Sequence, residues 1–292
     1  MSRQFRVLLT DRAWPDSSIE SEILGQIGAD VVEAPNGSES TLTELARDAD
    51  AIGTNWAQVT RGVIQAAKGC RIVARFGIGL DNISIETATE RRIPVTNVPD
   101  YCVSEVSDHA LALLLACARN VAFFHARTKA GEYQLASAPS MKRLAGATLG
   151  LVGFGRIARA LLPKARAIGM RVVAHSRQGD DRGTGCPMLS LDELLATSDF
   201  VSLHAPLTDQ TQGLLGERQF HRMKPGAFLI NTSRGGLVDH AALCEAISAG
   251  RIAGAGLDVF DPEPPDLAAP LFRDERVIVT PHAGSRVVLR RR

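Results

Sequence analysis

The chain has 292 residues, 45% apolar and 22% charged, with 33 Lys and Arg against 32 Asp and Glu. This composition excludes a disordered chain, a collagen-like repeat and a coiled-coil rod, and at about 150 residues per domain the length favours two domains, each with its own core. A formal net charge of +1 leaves no basic excess for a general nucleic-acid-binding surface, so no nucleic-acid partner is expected.

The opening MSRQFRVLLTDRAW holds an apolar run too short for the core of a signal peptide. The most apolar stretch, residues 110–118 (ALALLLACA) between His109 and Arg119, is far shorter than the roughly 20 residues that cross a bilayer, so no membrane partner is expected. Cys70, Cys102, Cys117, Cys186 and Cys244 are scattered without CxxC spacing. They suggest neither a disulfide framework nor a metal site, and free thiols point to a cytoplasmic protein.

In chain order, residues 5–10 read as a strand, 17–27 as a helix that Ser17 could cap, 30–34 as a strand and 41–47 as a helix. A strand at 51–55, a helix at 61–68, a strand at 71–76, a helix near 84–92 and a strand at 94–98 complete this block. Such alternation predicts a parallel sheet covered by helices on both faces. Pro99 interrupts it. A long helix is predicted over 103–129, whose broad apolar face (Val106, Ala110, Leu113, Leu114, Cys117) suits burial between domains or subunits. Residues 137–143 read as a loop. A second alternating block has strands predicted at 148–152, 171–176, 200–204, 227–232, 254–259 and 277–280, and a proline-rich loop at 261–270. The expected organisation is α/β: residues 1–99 as one domain, 100–284 as a larger one and 285–292 as a basic tail.

Residues 148–158, TLGLVGFGRIA, run from an apolar strand into a helix. This is G-x-G-x-x-A in the context that makes the pattern a dinucleotide fingerprint. Gly153 permits the tight turn, Gly155 lets the backbone approach a pyrophosphate at the positive helix N-terminus, and Ala158 allows close helix packing. An acidic residue at the end of the next strand normally binds the ribose 2′-hydroxyl of NAD. Here that strand ends in His175-Ser176-Arg177-Gln178, and Asp180 and Asp181 come later. Ser176 and Arg177 suit a 2′-phosphate, so NADP(H) is expected over NAD(H). Arg234, Glu263 and His282 each stand at or just beyond the C-terminal end of a predicted strand, the edge where open α/β sheets bind ligands.

These segments resemble the D-isomer-specific 2-hydroxyacid dehydrogenase family over nearly the whole chain. The resemblance rests on ARFGIGLDN at 74–82, the GFGRIA loop, VSLHAPLT at 201–208, MKPG at 223–226, NTSRG at 231–235, LDVFDPEP at 257–264 and TPH at 280–282. Residues 97–110 (NVPDYCVSEVSDHA) look most like the branch that contains the C-terminal-binding-protein-like dehydrogenases. The resemblance implies two Rossmann-like, doubly wound parallel-sheet domains with a cleft between them, the first flavodoxin-like. It implies a hydride exchange between NAD(P)H and a 2-keto or D-2-hydroxy acid, of the glyoxylate or hydroxypyruvate type.

The family's catalytic residues fall on Arg234, Glu263 and His282. His282 would be the general acid, Glu263 would favour its imidazolium form, and Arg234 would hold the substrate carboxylate. The Ile78 and Gly79 N–H groups, with charge from Arg75, would meet the same carboxylate. The resemblance also assigns Arg156 and Ile157 to the pyrophosphate, and His204, Ala205 and Pro206 to the adenosine side. Thr232 and Arg234 go to the nicotinamide half, Asp258 to its carboxamide, and His282 and Gly284 to the cofactor's edge. No metal is required. His109 and His125, in the long helix, read as structural. A homodimer through the 103–129 segment is implied.

Family members continue some tens of residues beyond TPH and return as a helix to the first domain. A chain ending at Arg292 is expected to lack that helix, with lower stability or an altered hinge. The competing reading is a nucleotide-gated, corepressor-like binding protein, or an impaired dehydrogenase.

Overall fold

The structure is a computed structural model that describes residues 5–136 and 138–285. The expected basic tail, at 286–292, lies outside the described residues. The chain forms two compact units, Met1–Tyr101 and Cys102–Arg292.

The first unit alternates β1 (Phe5–Leu9), α1 (Ser18–Gly25), β2 (Ala29–Glu33), α2 (Glu39–Ala46), β3 (Ala51–Thr54), α3 (Arg61–Ala66), β4 (Ile72–Arg75), α4 (Ile85–Glu90) and β5 (Val95–Thr96). Its strands are all parallel, in the order β2-β1-β3-β4-β5. This is the flavodoxin-like order, whose switch point lies between β1 and β3. Leu8, Leu42, Ile52, Val63, Ile64 and Val73 form the core, each such side chain contributing about 1.5–3 kcal/mol by burial. Side-chain hydroxyls start two of the helices: Ser38 Oγ accepts from Thr41 N and Thr60 Oγ1 from Val63 N. The expected cap at Ser17 does not form. Asp16 Oδ1 accepts the Ser18 N–H at 3.0 Å, so the carboxylate serves the first turn.

The second unit contains α5 (Val103–Ala118), α6 (Val121–Lys129), β6 (Thr148–Val152), α7 (Arg156–Ala167), β7 (Arg171–His175), α8 (Leu191–Thr197), β8 (Phe200–Leu203), α9 (Glu217–Arg222), β9 (Phe228–Asn231), α10 (His240–Ser248), β10 (Gly254–Leu257) and β11 (Val277–Val279). Its parallel sheet runs β11-β10-β9-β8-β6-β7. The order reverses between β6 and β8, which makes the C-terminal ends of those strands the ligand crevice. Every residue of β6, β8, β9 and β10 is buried, as expected for a sheet covered on both faces.

The single helix expected over 103–129 is two helices that bend by 65°. Asn120 takes the left-handed conformation (φ 51°) and its Nδ2 donates to the Pro139 carbonyl, ending one helix and starting the next. Asn tolerates that geometry through its short polar side chain. The apolar face of α5 also has a different destination from the one expected. Ala110, Leu113, Leu114 and Cys117 pack with Leu149, Leu151 and Ile230 inside the unit's own core. Among the described residues no single helix is long and apolar enough to cross a membrane.

Candidate active site

The glycine turn stands at the switch point of the second unit. Gly153, with φ +89°, donates its N–H to the His175 carbonyl at the end of β7. A Cβ built there would lie 2.6 Å from the Ala205 nitrogen and the His204 carbonyl, so only glycine allows the turn to touch the loop after β8. Gly155 precedes α7, and among the described residues none beyond its chain neighbours comes within 4 Å of where its Cβ would be. A phosphate can therefore approach the helix N-terminus that Arg156 and Ile157 open.

The wall of the crevice comes from the next strands. His204 N donates to the Val152 carbonyl at 2.7 Å and its Nε2 meets Ser202 Oγ at 2.9 Å. Burial pushes the His204 imidazole down to about 4, so the ring is neutral near pH 7. The Ala205 carbonyl accepts from Ser233 Oγ at 2.6 Å, and Pro206 is exposed beside it. Thr232 is buried, and its Oγ1 has no hydrogen-bond partner among the described residues. An unpartnered buried hydroxyl is costly unless a ligand completes it. The open face at Gly155 and the waiting Thr232 hydroxyl both fit a dinucleotide.

At the end of β7, Arg177 is exposed, with Nη1 3.4 Å from Gln210 Oε1. The two later carboxylates serve their own loop. Asp180 Oδ1 accepts from Arg182 N, and Asp181 accepts from the Gly183 and Gly185 amides at 3.0 and 2.9 Å. Asp180 and Asp181 are thus bonded within their own loop rather than to Ser176 or Arg177.

Glu263 and His282 meet at the same sheet edge, His282 Nδ1 lying 2.7 Å from Glu263 Oε2. The Phe260 N–H donates to Glu263 Oε1 at 2.9 Å and fixes the carboxylate from the other side. Burial alone would raise the Glu263 pKa, but the hydrogen bond and charge of His282, the Phe260 amide and the charge of Arg234 together hold it below its ordinary value. A depressed carboxylate pKa stabilises the fold above its unfolded value of about 4.3, and that contribution disappears as pH falls through the lower folded value. Arg234 reaches this neighbourhood because of the residue after it. A Cβ on Gly235 would fall 2.0 Å from the Phe260 carbonyl carbon, so the loop after β9 lies backbone to backbone against the loop carrying Glu263.

Asp258, the residue that the resemblance implies at the nicotinamide carboxamide, accepts hydrogen bonds from its own chain. It is 1% exposed. Its Oδ1 accepts from Thr280 Oγ1 at 2.5 Å and Ala283 N at 2.8 Å, and its Oδ2 from Gly284 N at 2.9 Å. Its carbonyl accepts from His282 N at 2.8 Å. The Gly284 amide is one of these donors. Thr280 gave no signal in the sequence beyond its place before Pro281 and His282.

In the first unit, Arg75 closes β4 and is 8% exposed. Its Nε donates to Asn82 Oδ1 at 3.0 Å and its Nη1 to Asn55 Oδ1 at 3.2 Å. The guanidinium therefore braces the loop from beneath rather than presenting an open charge. Ile78 and Gly79 are half-buried in that loop, where the Ile78 carbonyl accepts from Asn97 Nδ2 at 2.8 Å.

Residues 111–284 match the family model of the D-isomer specific 2-hydroxyacid dehydrogenase NAD binding domain. The chain is 42% identical over 260 residues to a glyoxylate reductase of Korarchaeum cryptofilum, covering 87% of this chain and 78% of that protein. It is 39% identical over 230 residues to a hydroxypyruvate reductase of Thermotoga maritima, covering 78% and 75%. Among solved structures it resembles the NADPH-dependent glyoxylate/hydroxypyruvate reductase of Sinorhizobium meliloti in complex with NADP and malonate. That likeness has a TM-score of 0.87 at 30% identity, over 98% of this chain and 88% of that one. The chain belongs to the D-isomer specific 2-hydroxyacid dehydrogenase family. It is an NAD(P)-dependent oxidoreductase.

Proposed function

We propose that the protein reduces small 2-keto acids of the glyoxylate and hydroxypyruvate type, with NADP(H) preferred over NAD(H) and His282 as the proton donor. The observation that carries this reading is the 2.7 Å contact between His282 Nδ1 and Glu263 Oε2, formed at the sheet edge that also bears the glycine turn. A nucleotide-gated binding protein has no need of an imidazole locked to a carboxylate, and the relatives named above are reductases.

With Nδ1 committed to Glu263, His282 keeps Nε2 for the substrate. With Glu263 Oε2 accepting from Nδ1, the ring donates its Nε2 proton to the developing alkoxide. The Arg234 fork suits the substrate carboxylate and polarises the neighbouring ketone. A nicotinamide bound here would supply the hydride. Thr232 Oγ1 would find its partner on the nicotinamide half, and the N-terminus of α7 would hold the pyrophosphate. Ser176 and Arg177 would hold the 2′-phosphate. The free thiols support a cytoplasmic setting. A homodimer through the 103–129 segment belongs to the same reading, and Val121 is an exposed apolar side chain on it.

NADPH oxidation followed at 340 nm, with glyoxylate and hydroxypyruvate, tests the reading. NADPH is expected to give a higher kcat/KM than NADH. Arg177→Ala is expected to lower kcat/KM for NADPH by about 10- to 100-fold, the equivalent of a charge-assisted hydrogen bond, and to leave NADH nearly unchanged. Equal losses with both nucleotides remove the NADP preference. No oxidation of either nucleotide with any keto acid removes the reductase.

A further inference from the structure

We propose that His109, on α5, is a positioning residue for this reaction: through Asp258 and Thr280 it holds the turn that aims His282. The inference rests on the reading of His282 as proton donor. Nothing in the sequence sets His109 apart from an ordinary helical histidine. The structure places its Nε2 2.9 Å from Thr280 Oγ1 and 3.3 Å from Asp258 Oδ1.

The direction of these bonds follows from donor counting. Thr280 Oγ1 spends its proton on Asp258 Oδ1. The hydroxyl has then only lone pairs to offer, so His109 Nε2 must carry a proton and donate it. That donor faces both the Thr280 oxygen and Asp258 Oδ1. The Asp258 carboxylate, nearly inaccessible to water, accepts from Thr280 and from the Ala283 and Gly284 amides, with His109 Nε2 beside it.

The turn it grips is a demanding one. His282 has φ +51°, a left-handed conformation that costs a non-glycine residue about 1–2 kcal/mol. Three bonds from residue 258 hold it: the carbonyl accepts His282 N, and the carboxylate accepts the next two amides. The imidazole faces Glu263 because this turn has that shape. His109 supplies the side-chain donor from α5, a helix otherwise built into the core. It thereby ties a rigid element to the acid–base pair. Removing it leaves a buried carboxylate and a threonine hydroxyl short of a partner, and frees the turn to relax away from the reactive geometry.

The test compares wild type, His109→Ala, His109→Gln and His282→Ala. Hydroxypyruvate reduction with NADPH is measured alongside the NADPH Kd by fluorescence and the melting temperature. Gln places an N–H near the position of Nε2. H109A is expected to lower kcat by about 10- to 100-fold with KM and NADPH Kd within about threefold, and H109Q to keep kcat within about threefold of wild type. In the nucleotide-free protein labelled with 15N-histidine, the His282 ring signals, assigned by their loss in H282A, are expected to move in H109A and return in H109Q. A kcat in H109A within about twofold of wild type overturns the proposal, as does H109Q falling as far as H109A, or unmoved His282 signals in H109A. H282A distinguishes the two levels. If H282A still turns over, the proton-donor reading fails. If H282A is dead and H109A is unaffected, only the positioning role fails.

Discussion

His282→Ala is expected to lower kcat for keto-acid reduction by about 100- to 10,000-fold, the range that a positioned general acid supplies. NADPH affinity is expected to change little, because the glycine turn at Gly153–Gly155 and the residues after β7, Ser176 and Arg177, are untouched. The variant should also fold. His282 is half-buried, and its ring bonds only to Glu263 among the described residues, so its loss opens no core cavity. Steady-state kinetics with a separate nucleotide-binding titration checks both halves. A loss confined to KM would mean that His282 binds substrate without donating a proton.

Glu263→Gln isolates the carboxylate's charge from its shape. Gln can still accept the Phe260 amide through its Oε1, but it no longer gives His282 Nδ1 a charged acceptor. The variant is expected to lower kcat by about 10- to 100-fold and to leave the NADPH Kd unchanged. Adding E263Q to H282A should cost almost nothing further, since the two residues act as one unit. A kcat in E263Q within about twofold of wild type would show that Glu263 only packs beside the ring.

Much of the scaffold is legible in the chain because parallel strands buried on both faces are written as short apolar runs such as TLGLV and FLIN. The glycine turn is legible for the same reason: its flanking strand and helix are both marked. The break between α5 and α6 is hidden, because apolar spacing continues past Arg119 and Asn120 while a side-chain bond to Pro139 decides the conformation. Residues 234, 263 and 282 could be placed at strand ends from the residues alone, but their meeting depends on loops. Gly235 brings the first loop against the backbone of the second, and the turn at 282–284 is shaped from Asp258. Asp258 enters the sequence analysis only through the resemblance. The contact that Thr280, its hydroxyl donor, makes with His109 spans 171 positions in sequence, and no local pattern carries that.

The most direct measurement uses NADPH deuterated at C4, each epimer in turn, with hydroxypyruvate, and locates the label by mass spectrometry and chiral separation. The account predicts that one epimer delivers one deuterium to C2 of D-glycerate for each nucleotide oxidised. Nucleotide oxidised without label in the product, or label recovered in L-glycerate, would contradict it.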